Sequence, residues 1–137
     1  MAQQYQFNVS TPGRGTIDIT RQVEQFVRES DIQAGLANVF ISHTSASLIL
    51  CENADAMVRT DLESWLSRAV PDGDRLFRHT MEGPDDMPAH VRSVLTASSI
   101  SIPIVNGRMA LGTWQGLYLY EHRTEPHRRT IRVTMVG

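Results

Sequence analysis

Two histidines, three carboxylates and two prolines fall within the twelve residues from His79 to His90. Gly83, Pro84 and Pro88 indicate that this segment is a rigid loop rather than the interior of a helix or strand. Imidazole and carboxylate groups bind metal ions and transfer protons, and loops on a rigid scaffold often carry such groups. We therefore take this loop as the candidate centre of the chemistry in this chain.

A third histidine, His43, lies where a predicted strand ends, beside small polar residues. Three histidines and a water form a known catalytic zinc site, so His43, His79 and His90 are candidate metal ligands. Their spacing is not a local metal signature, and the alternative is three unrelated polar histidines. His122 and His127 fall in a polar segment, and we expect them to be solvated.

The carboxylates of the loop are Glu82, Asp85 and Asp86. Adjacent carboxylates can divide the roles of acid and base between them. They can also fix the tautomer of a histidine that binds a metal. For Asp86 the alternative role is the N-cap of a following helix.

Polar groups in two other segments could contact a substrate. Thr44, Ser45 and Ser47 follow His43, and hydroxyls at a strand break can hold a phosphate or another anion, although a structural role in a turn explains them better. Gln115 and Glu121 lie on one face of a predicted strand. They form either the polar wall of a pocket or the solvent side of a sheet.

Composition narrows the classes of function. The 137 residues fit one domain, spanning residues 1–137, and the net charge of −2 argues against a nucleic-acid partner. All thirteen basic residues are arginine, which excludes a Schiff-base lysine and a Walker-type phosphate lysine. No apolar run is long enough to span a membrane and no signal peptide is recognisable, so a cytoplasmic location is expected. The single cysteine, Cys51, is expected to be a buried, inert thiol.

Hydrophobic periodicity predicts a mixed fold. Strands are predicted over residues 4–9, 16–19, 36–42, 47–51, 101–105, 108–111, 114–121 and 130–136. Asn106-Gly107 predicts a two-residue hairpin turn. The order is strand-strand-helix-strand-strand-helix-helix and then four strands. This pattern indicates an α+β fold, in which two to three helices pack on a mostly antiparallel sheet that is curled or folded into a sandwich.

Three amphipathic helices are predicted. The first begins with Thr20 as its N-cap, and the second, the strongest, is capped by Asn53. Apolar faces are predicted for all three: Val23, Phe26 and Val27 in the first, Val58, Leu62, Trp65, Leu66 and Ala69 in the second, and Val91, Val94 and Leu95 in the third.

Several long motifs of this chain resemble those of the YjbQ-like family, small proteins described as secondary thiamine-phosphate synthases. The motifs are His43-Thr44-Ser45-Ala46-Ser47-Leu48, Glu52-Asn53-Ala54-Asp55, the His79–His90 loop, Asn106-Gly107-Arg108 and Leu111-Gly112-Thr113-Trp114-Gln115-Gly116. The resemblance covers nearly the whole chain. Cys51 is a departure, because the family pattern more often has Asn at that position.

The resemblance implies an α+β, sandwich-like domain that assembles as a homotrimer, with a site built from histidines and carboxylates. It also implies a reaction that joins a pyrimidine diphosphate to a thiazole phosphate and releases pyrophosphate. Such chemistry needs a divalent cation, for which zinc and magnesium are both candidates. The alternatives are a metal-dependent hydrolase of a small phosphate ester and a non-enzymatic trimeric module that binds a metal or a small ligand.

The resemblance, together with the residues, leads to specific predictions for the site. Metal ligands are predicted at His43, His79 and His90, and catalytic groups at His79, Glu82 and Asp86. The predicted substrate-binding residues are Thr44, Ser45, Asn53, Gln115 and Glu121, and the predicted substrate is a small phosphorylated molecule.

Overall fold

Two antiparallel sheets enclose one hydrophobic core in this chain, as seen in a computed structural model that describes residues 1–137. Helices and strands follow one another in the order predicted from the sequence. In chain order they are β1 (Gln3–Thr11), β2 (Gly15–Asp18), α1 (Thr20–Glu29), β3 (Ala34–Ile41), β4 (Ala46–Glu52), α2 (Ala56–Ala69), α3 (Asp86–Leu95), β5 (Ser99–Val105), β6 (Arg108–Met109), β7 (Gln115–Glu121) and β8 (His127–Val136). The α+β prediction is confirmed.

The larger sheet has the strand order β1-β8-β3-β5-β6 and the smaller sheet the order β2-β7-β4, with every pair antiparallel. Residues alternate between the two faces of a strand, so Ile131, Val133 and Met135 of β8 all face the core. In the smaller sheet, Leu117 and Leu119 of β7 face the same core. Helix α1 adds Val23 and Val27 to it, as its amphipathic pattern predicted.

Helices α2 and α3 contribute no residue to this core, and their predicted apolar faces are wrong. Of the stripe predicted for α2 only Leu66 is buried, and Trp65 is 61% exposed. In α3 the buried residues include Ala89 and Arg92, whereas Val94 is 84% exposed.

The reason is the surface that the two helices cover. It is the outer face of the smaller sheet, which carries Ser47 and the hydroxyl of Tyr120. The helices therefore meet this face with polar groups. Arg92 forms a two-pronged ion pair with Glu63, with N–O distances of 2.7 and 3.0 Å, and Glu63 also accepts the Tyr120 hydroxyl at 2.7 Å.

Two predicted helix caps are also wrong. The N-cap of α2 is Asp55, whose Oδ1 accepts the backbone N–H of Met57 at 2.9 Å, not Asn53. Thr20 is already inside α1, and its hydroxyl accepts the backbone N–H of Leu117 instead. It thereby ties α1 to the smaller sheet.

The predicted hairpin turn at Asn106-Gly107 is confirmed between β5 and β6. Both residues have positive φ values, 52° and 75°, as a type I′ turn requires. None of the three helices is both long and apolar enough to cross a membrane.

Candidate functional site

The His79–His90 segment brings two imidazoles onto one carboxylate. Asp86 lies in the first turn of α3, and His90 lies one turn later, so their side chains share a face of that helix. His79 reaches the same point from the loop before α3. The Nε2 atoms of His79 and His90 lie 2.8 and 3.1 Å from the same oxygen, Oδ2 of Asp86.

The orientation of the His90 ring is set by the backbone. Its Nδ1 lies 3.0 Å from the carbonyl oxygen of Thr44, and only a protonated nitrogen can pair with a carbonyl. In the neutral ring, Nε2 therefore carries the lone pair that faces the Asp86 carboxylate. Two acceptors facing each other require a positive charge, which can be a proton on the ring or a bound cation.

Asp86 is almost completely buried, although it ends in a charged group. Burial by itself raises the pKa of Asp86, but the contacts with His79, His90 and Arg123 outweigh it and lower that pKa below its usual value. The Oδ1 atom, which the histidines do not use, accepts Nη1 of Arg123 at 2.8 Å. The carboxylate is therefore ionised at neutral pH, as a metal ligand must be.

His79, Asp86 and His90 offer three ligand atoms that all lie within 4.8 Å of one another. Two imidazole nitrogens and one carboxylate oxygen suit zinc or another first-row transition metal. Magnesium prefers a shell made of oxygen atoms, so this set does not fit magnesium. The backbone carbonyl that holds His90 is the kind of outer partner that zinc-binding histidines have.

The structure does not bring His43 into this ligand set. Nε2 of His43 accepts the backbone N–H of Thr130 at 2.8 Å, and Nδ1 lies 3.4 Å from Nη1 of Arg129. Burial and the charge of Arg129 lower the pKa of His43, so the ring is neutral at pH 7. Asp86 takes the third place that the sequence analysis gave to His43.

Ser45 and Glu121, both predicted to bind the substrate, are buried inside the protein. Glu121 forms a buried ion pair with Arg129, and its carboxylate also accepts the Thr11 hydroxyl and the backbone N–H of Arg123. The Ser45 hydroxyl accepts Nη2 of Arg129 at 2.9 Å. Both side chains are thus held by Arg129 in the interior of the protein.

The other predicted residues lie on the surface. Oε1 of Gln115 accepts the backbone N–H of Gly112 and thereby shapes a turn, and Asn53 lies beside the same strand. The carboxylate of Glu82 is exposed and lies outside the ligand set. The backbone carbonyl of Glu82 accepts a hydrogen bond from Nη2 of Arg123. Only Thr44 is close to the cluster, through its backbone contact with His90.

Two cavities are each lined by one histidine of the cluster. The His79 cavity, of about 330 Å³, is lined by His79 together with Arg75, Phe77, Thr80 and Met87, among others. The His90 cavity, of about 400 Å³, is lined by His43, Thr44, His90, Ser93, Val94, Thr96 and Ser98. The first contains the guanidinium group of Arg75 and the carboxylate of Asp74 in addition to an imidazole and a hydroxyl, whereas the polar side chains of the second are hydroxyls and imidazoles.

Sequence reasoning missed Arg123 and misjudged His122. Both follow β7 in a stretch that was interpreted as a polar, solvated loop, yet His122 is completely buried. Arg123 lies against Asp85 and Asp86, about forty positions earlier in the chain. The only local signal is that a histidine and an arginine directly follow a strand, and this signal does not identify the partner.

Comparison with known sequences extends over the whole site. The family model described as "UPF0047 protein YjbQ-like" matches residues 5–137. The "UPF0047 protein sll1880" of Synechocystis is 49% identical over 129 residues, which make up 94% of this chain and 88% of that protein. The "UPF0047 protein YjbQ" of Escherichia coli O157:H7 is 38% identical over 138 residues, covering 100% of this chain and 99% of that protein.

Solved structures share the fold. A crystal structure of an uncharacterized conserved protein of the YjbQ/UPF0047 family from Clostridium acetobutylicum has a TM-score of 0.88 and 36% identity, and covers 96% of this chain and 99% of its own. The hypothetical protein APE1520 from Aeropyrum pernix K1 has a TM-score of 0.90 and 26% identity, with 98% of each chain covered.

Proposed function

This chain belongs to the UPF0047 YjbQ-like family, and from that membership and its site we propose that it is a metal-dependent enzyme acting on small phosphorylated molecules. One observation carries the proposal: two histidine Nε2 atoms converge on a single oxygen of a buried carboxylate. In this proposal His79, Asp86 and His90 hold the cation, and their donor set favours zinc or a similar transition metal. When bound, such a cation supplies a Lewis acid that polarises an oxygen of the substrate.

The reaction we propose is that of a secondary thiamine-phosphate synthase. A carbon–nitrogen bond forms between the pyrimidine and thiazole parts while the carbon–oxygen bond to the diphosphate breaks, and the diphosphate leaves with the electron pair. A two-substrate reaction needs room on both sides of the reacting atoms. The His79 and His90 cavities, each lined by one histidine of the cluster, support this requirement.

The charges of the two cavities suggest how the substrates are oriented. Arg75 is exposed, makes no hydrogen bond within the chain and lines the His79 cavity, so that cavity takes the diphosphate. The hydroxyls of Thr44 and Ser98 are likewise free, and they line the His90 cavity. They orient the second substrate by donating hydrogen bonds to its polar atoms.

A metal-dependent hydrolase of a phosphate ester is the second candidate. The observation that favours it is that only one of the two cavities contains an arginine, which suffices for a single phosphate group. The side chain of His79 is 50% exposed, so water reaches the cluster as the second reactant. The same residues serve both reactions.

Elemental analysis of the protein, purified without a histidine tag, tests the shared premise. We expect one equivalent of a transition metal, zinc above all. Loss of a group that only orients a metal ligand lowers metal affinity by roughly 10- to 100-fold. His79→Ala and His90→Ala each remove a ligand, so they should lower the affinity for the metal by more than that. His127→Ala is the matched control, because His127 lies outside the cluster and pairs only with its own neighbouring backbone, the carbonyl of Glu125.

Turnover then distinguishes the candidates. Formation of thiamine phosphate that is abolished by a chelator and by His79→Ala supports the synthase. Release of inorganic phosphate from a panel of phosphate esters, with the same losses, supports the hydrolase. Metal binding without either turnover would leave a binding module, and unchanged turnover in His79→Ala would remove the site assignment.

We also propose that the chain assembles as a homotrimer. An apolar groove of about 380 Å³ runs along β4 and between α2 and α3, lined mainly by Leu48, Leu50, Leu62, Leu95 and Ile100. Leu95 is 59% exposed there. Exposed apolar patches of this kind commonly mark protein–protein contacts. β7 is the central strand of the smaller sheet, so neither of its edges is open to pairing with a second copy.

A further inference from the structure

The loop before α3 is folded around one arginine, Arg123, that no part of the proposed chemistry uses. Nε of Arg123 donates to Oδ2 of Asp85 at 3.0 Å, and Nη1 donates to Oδ1 of Asp86 at 2.8 Å. Nη2 donates to the backbone carbonyl of Glu82 at 2.8 Å. The guanidinium group thus contacts two residues of this loop and the first residue of α3, and its side chain is only 14% exposed.

These contacts give the two carboxylate oxygens of Asp86 different partners. Oδ1 accepts Arg123, while Oδ2 faces both His79 and His90. A free carboxylate can rotate and bind a cation through either oxygen or through both. With Oδ1 held by a guanidinium, Asp86 can offer only Oδ2.

We propose that Arg123 is a positioning residue: it fixes the Asp86 carboxylate so that Oδ2 alone completes the metal site, and it thereby sets the affinity and the coordination geometry of that site. This inference rests on the proposed metal site and extends it, because Arg123 itself is not a ligand. Asp85 is the second carboxylate that Arg123 contacts, and it holds the arginine rather than the metal.

Asp85 is suited to this anchoring role. Its Oδ2 accepts not only Arg123 but also the backbone N–H and the hydroxyl of Thr124, at 2.9 and 3.1 Å. Burial raises the pKa of Asp85, but these hydrogen bonds and the charge of Arg123 lower it to about 2. The arginine is therefore held between a carboxylate oxygen that accepts three hydrogen bonds and the ligand that it orients.

Two effects of Arg123 on a bound cation have opposite signs. Its positive charge repels the cation and weakens binding, whereas its fixed fork of donors strengthens binding by orienting Asp86. Loss of an outer partner typically lowers metal affinity by about 10- to 100-fold, so we expect the orienting effect to exceed the repulsion. Arg123→Lys separates the two effects, because lysine keeps the positive charge but lacks the planar set of N–H donors that orients Asp86.

The experiment is a titration of the metal-free protein with Co²⁺, followed by its visible absorption, which reports both affinity and coordination geometry. We expect Arg123→Met and Arg123→Lys to bind Co²⁺ about 10- to 100-fold more weakly than wild type, with an altered absorption band. Asp85→Asn should shift in the same direction by a smaller factor. Arg128→Met is the matched control, since Arg128 is exposed and makes no side-chain hydrogen bond.

The outcomes are distinct. Wild-type affinity and an unchanged spectrum in Arg123→Lys overturn the inference while the metal site stands. Wild-type protein that binds no Co²⁺ overturns the proposed function and this inference together. Circular dichroism checks folding, and if Arg123→Met is unfolded, the comparison of Arg123→Lys and Asp85→Asn with wild type decides the matter. A purely structural arginine would alter stability but not the spectrum of the bound metal.

Discussion

His122 shows how strongly burial changes a single residue. The ring is completely buried, with Nε2 at 2.8 Å from the Ser47 hydroxyl and Nδ1 without a partner. Burial, with the charge of Arg92, lowers its pKa to about 3, although Glu121 and Glu63 act in the opposite direction and Arg14 adds to the lowering. The folded protein therefore keeps this histidine neutral at pH values at which the unfolded chain protonates it.

This difference predicts acid sensitivity. Because the folded pKa lies below the unfolded value of 6.5, the stabilisation is complete above pH 6.5 and is lost as the pH falls toward 3. Between pH 7 and pH 5 we expect His122 to account for a loss of about 2 kcal/mol in the free energy of unfolding. Urea unfolding at several pH values measures it.

The matched variant is His122→Gln, whose amide keeps a hydrogen-bonding partner for Ser47 but does not titrate. Its stability should depend less on pH in this range than that of wild type. His127→Gln, a change at a half-buried histidine, serves as the control and should keep the wild-type slope. Equal slopes for wild type and His122→Gln would contradict the prediction.

At the scale of the secondary-structure element, Asp55 and Asn53 are the two candidate N-caps at the start of α2. Asp55 Oδ1 accepts the Met57 N–H at 2.9 Å, whereas the Asn53 side chain makes only a 3.5 Å contact with the carbonyl of Gln115. Asp55→Ala should therefore lower the free energy of unfolding by about 1 kcal/mol. Asn53→Ala should change it by less than about 0.5 kcal/mol. Denaturant unfolding of both variants checks this, and the reverse order would restore Asn53 as the cap.

The helices also explain why a periodic pattern can mislead. An apolar stripe predicts that a helix packs, but it does not say against what. Glu63 and Arg92 lie on the faces of α2 and α3 that meet each other and the smaller sheet, so Arg92 is completely buried in the ion pair while much of the apolar stripe is left exposed. The polar partners on the sheet, Ser47 and Tyr120, decide this arrangement.

At the scale of the whole molecule, the groove between α2 and α3 leads to a prediction about assembly. Leu95→Glu places a charge in the apolar groove and should dissociate the proposed trimer, because an unpaired buried charge opposes association. Sedimentation should give about three times the 15.4 kDa chain mass for wild type and a smaller mass for the variant.

Leu76→Glu is the control for that experiment. Leu76 is 78% exposed and lies outside the groove, so the same substitution there should leave the mass unchanged. A wild-type protein that sediments as a monomer at micromolar concentration would contradict the trimer itself. A trimer that tolerates Leu95→Glu would place its interface elsewhere.

Local physical rules explain what could be predicted from the sequence. Alternation of apolar and polar residues identified the strands, and Asn106-Gly107 identified a turn that needs positive φ at both positions. The density of histidines and carboxylates between His79 and His90 identified the segment in which His79, Asp86 and His90 converge. These signals depend only on neighbouring residues in the chain, so they can be interpreted without knowing the fold.

What the sequence by itself determined is the α+β order of elements, the hairpin, and the segment that carries His79, Asp86 and His90. Only the tertiary structure decided which distant groups meet that segment. It paired His43 with the backbone of Thr130 rather than with the cluster, and it brought Arg123 to the Asp86 carboxylate. The physical reason is that sheet topology and register, which no local pattern encodes, set the contacts between residues far apart in the chain.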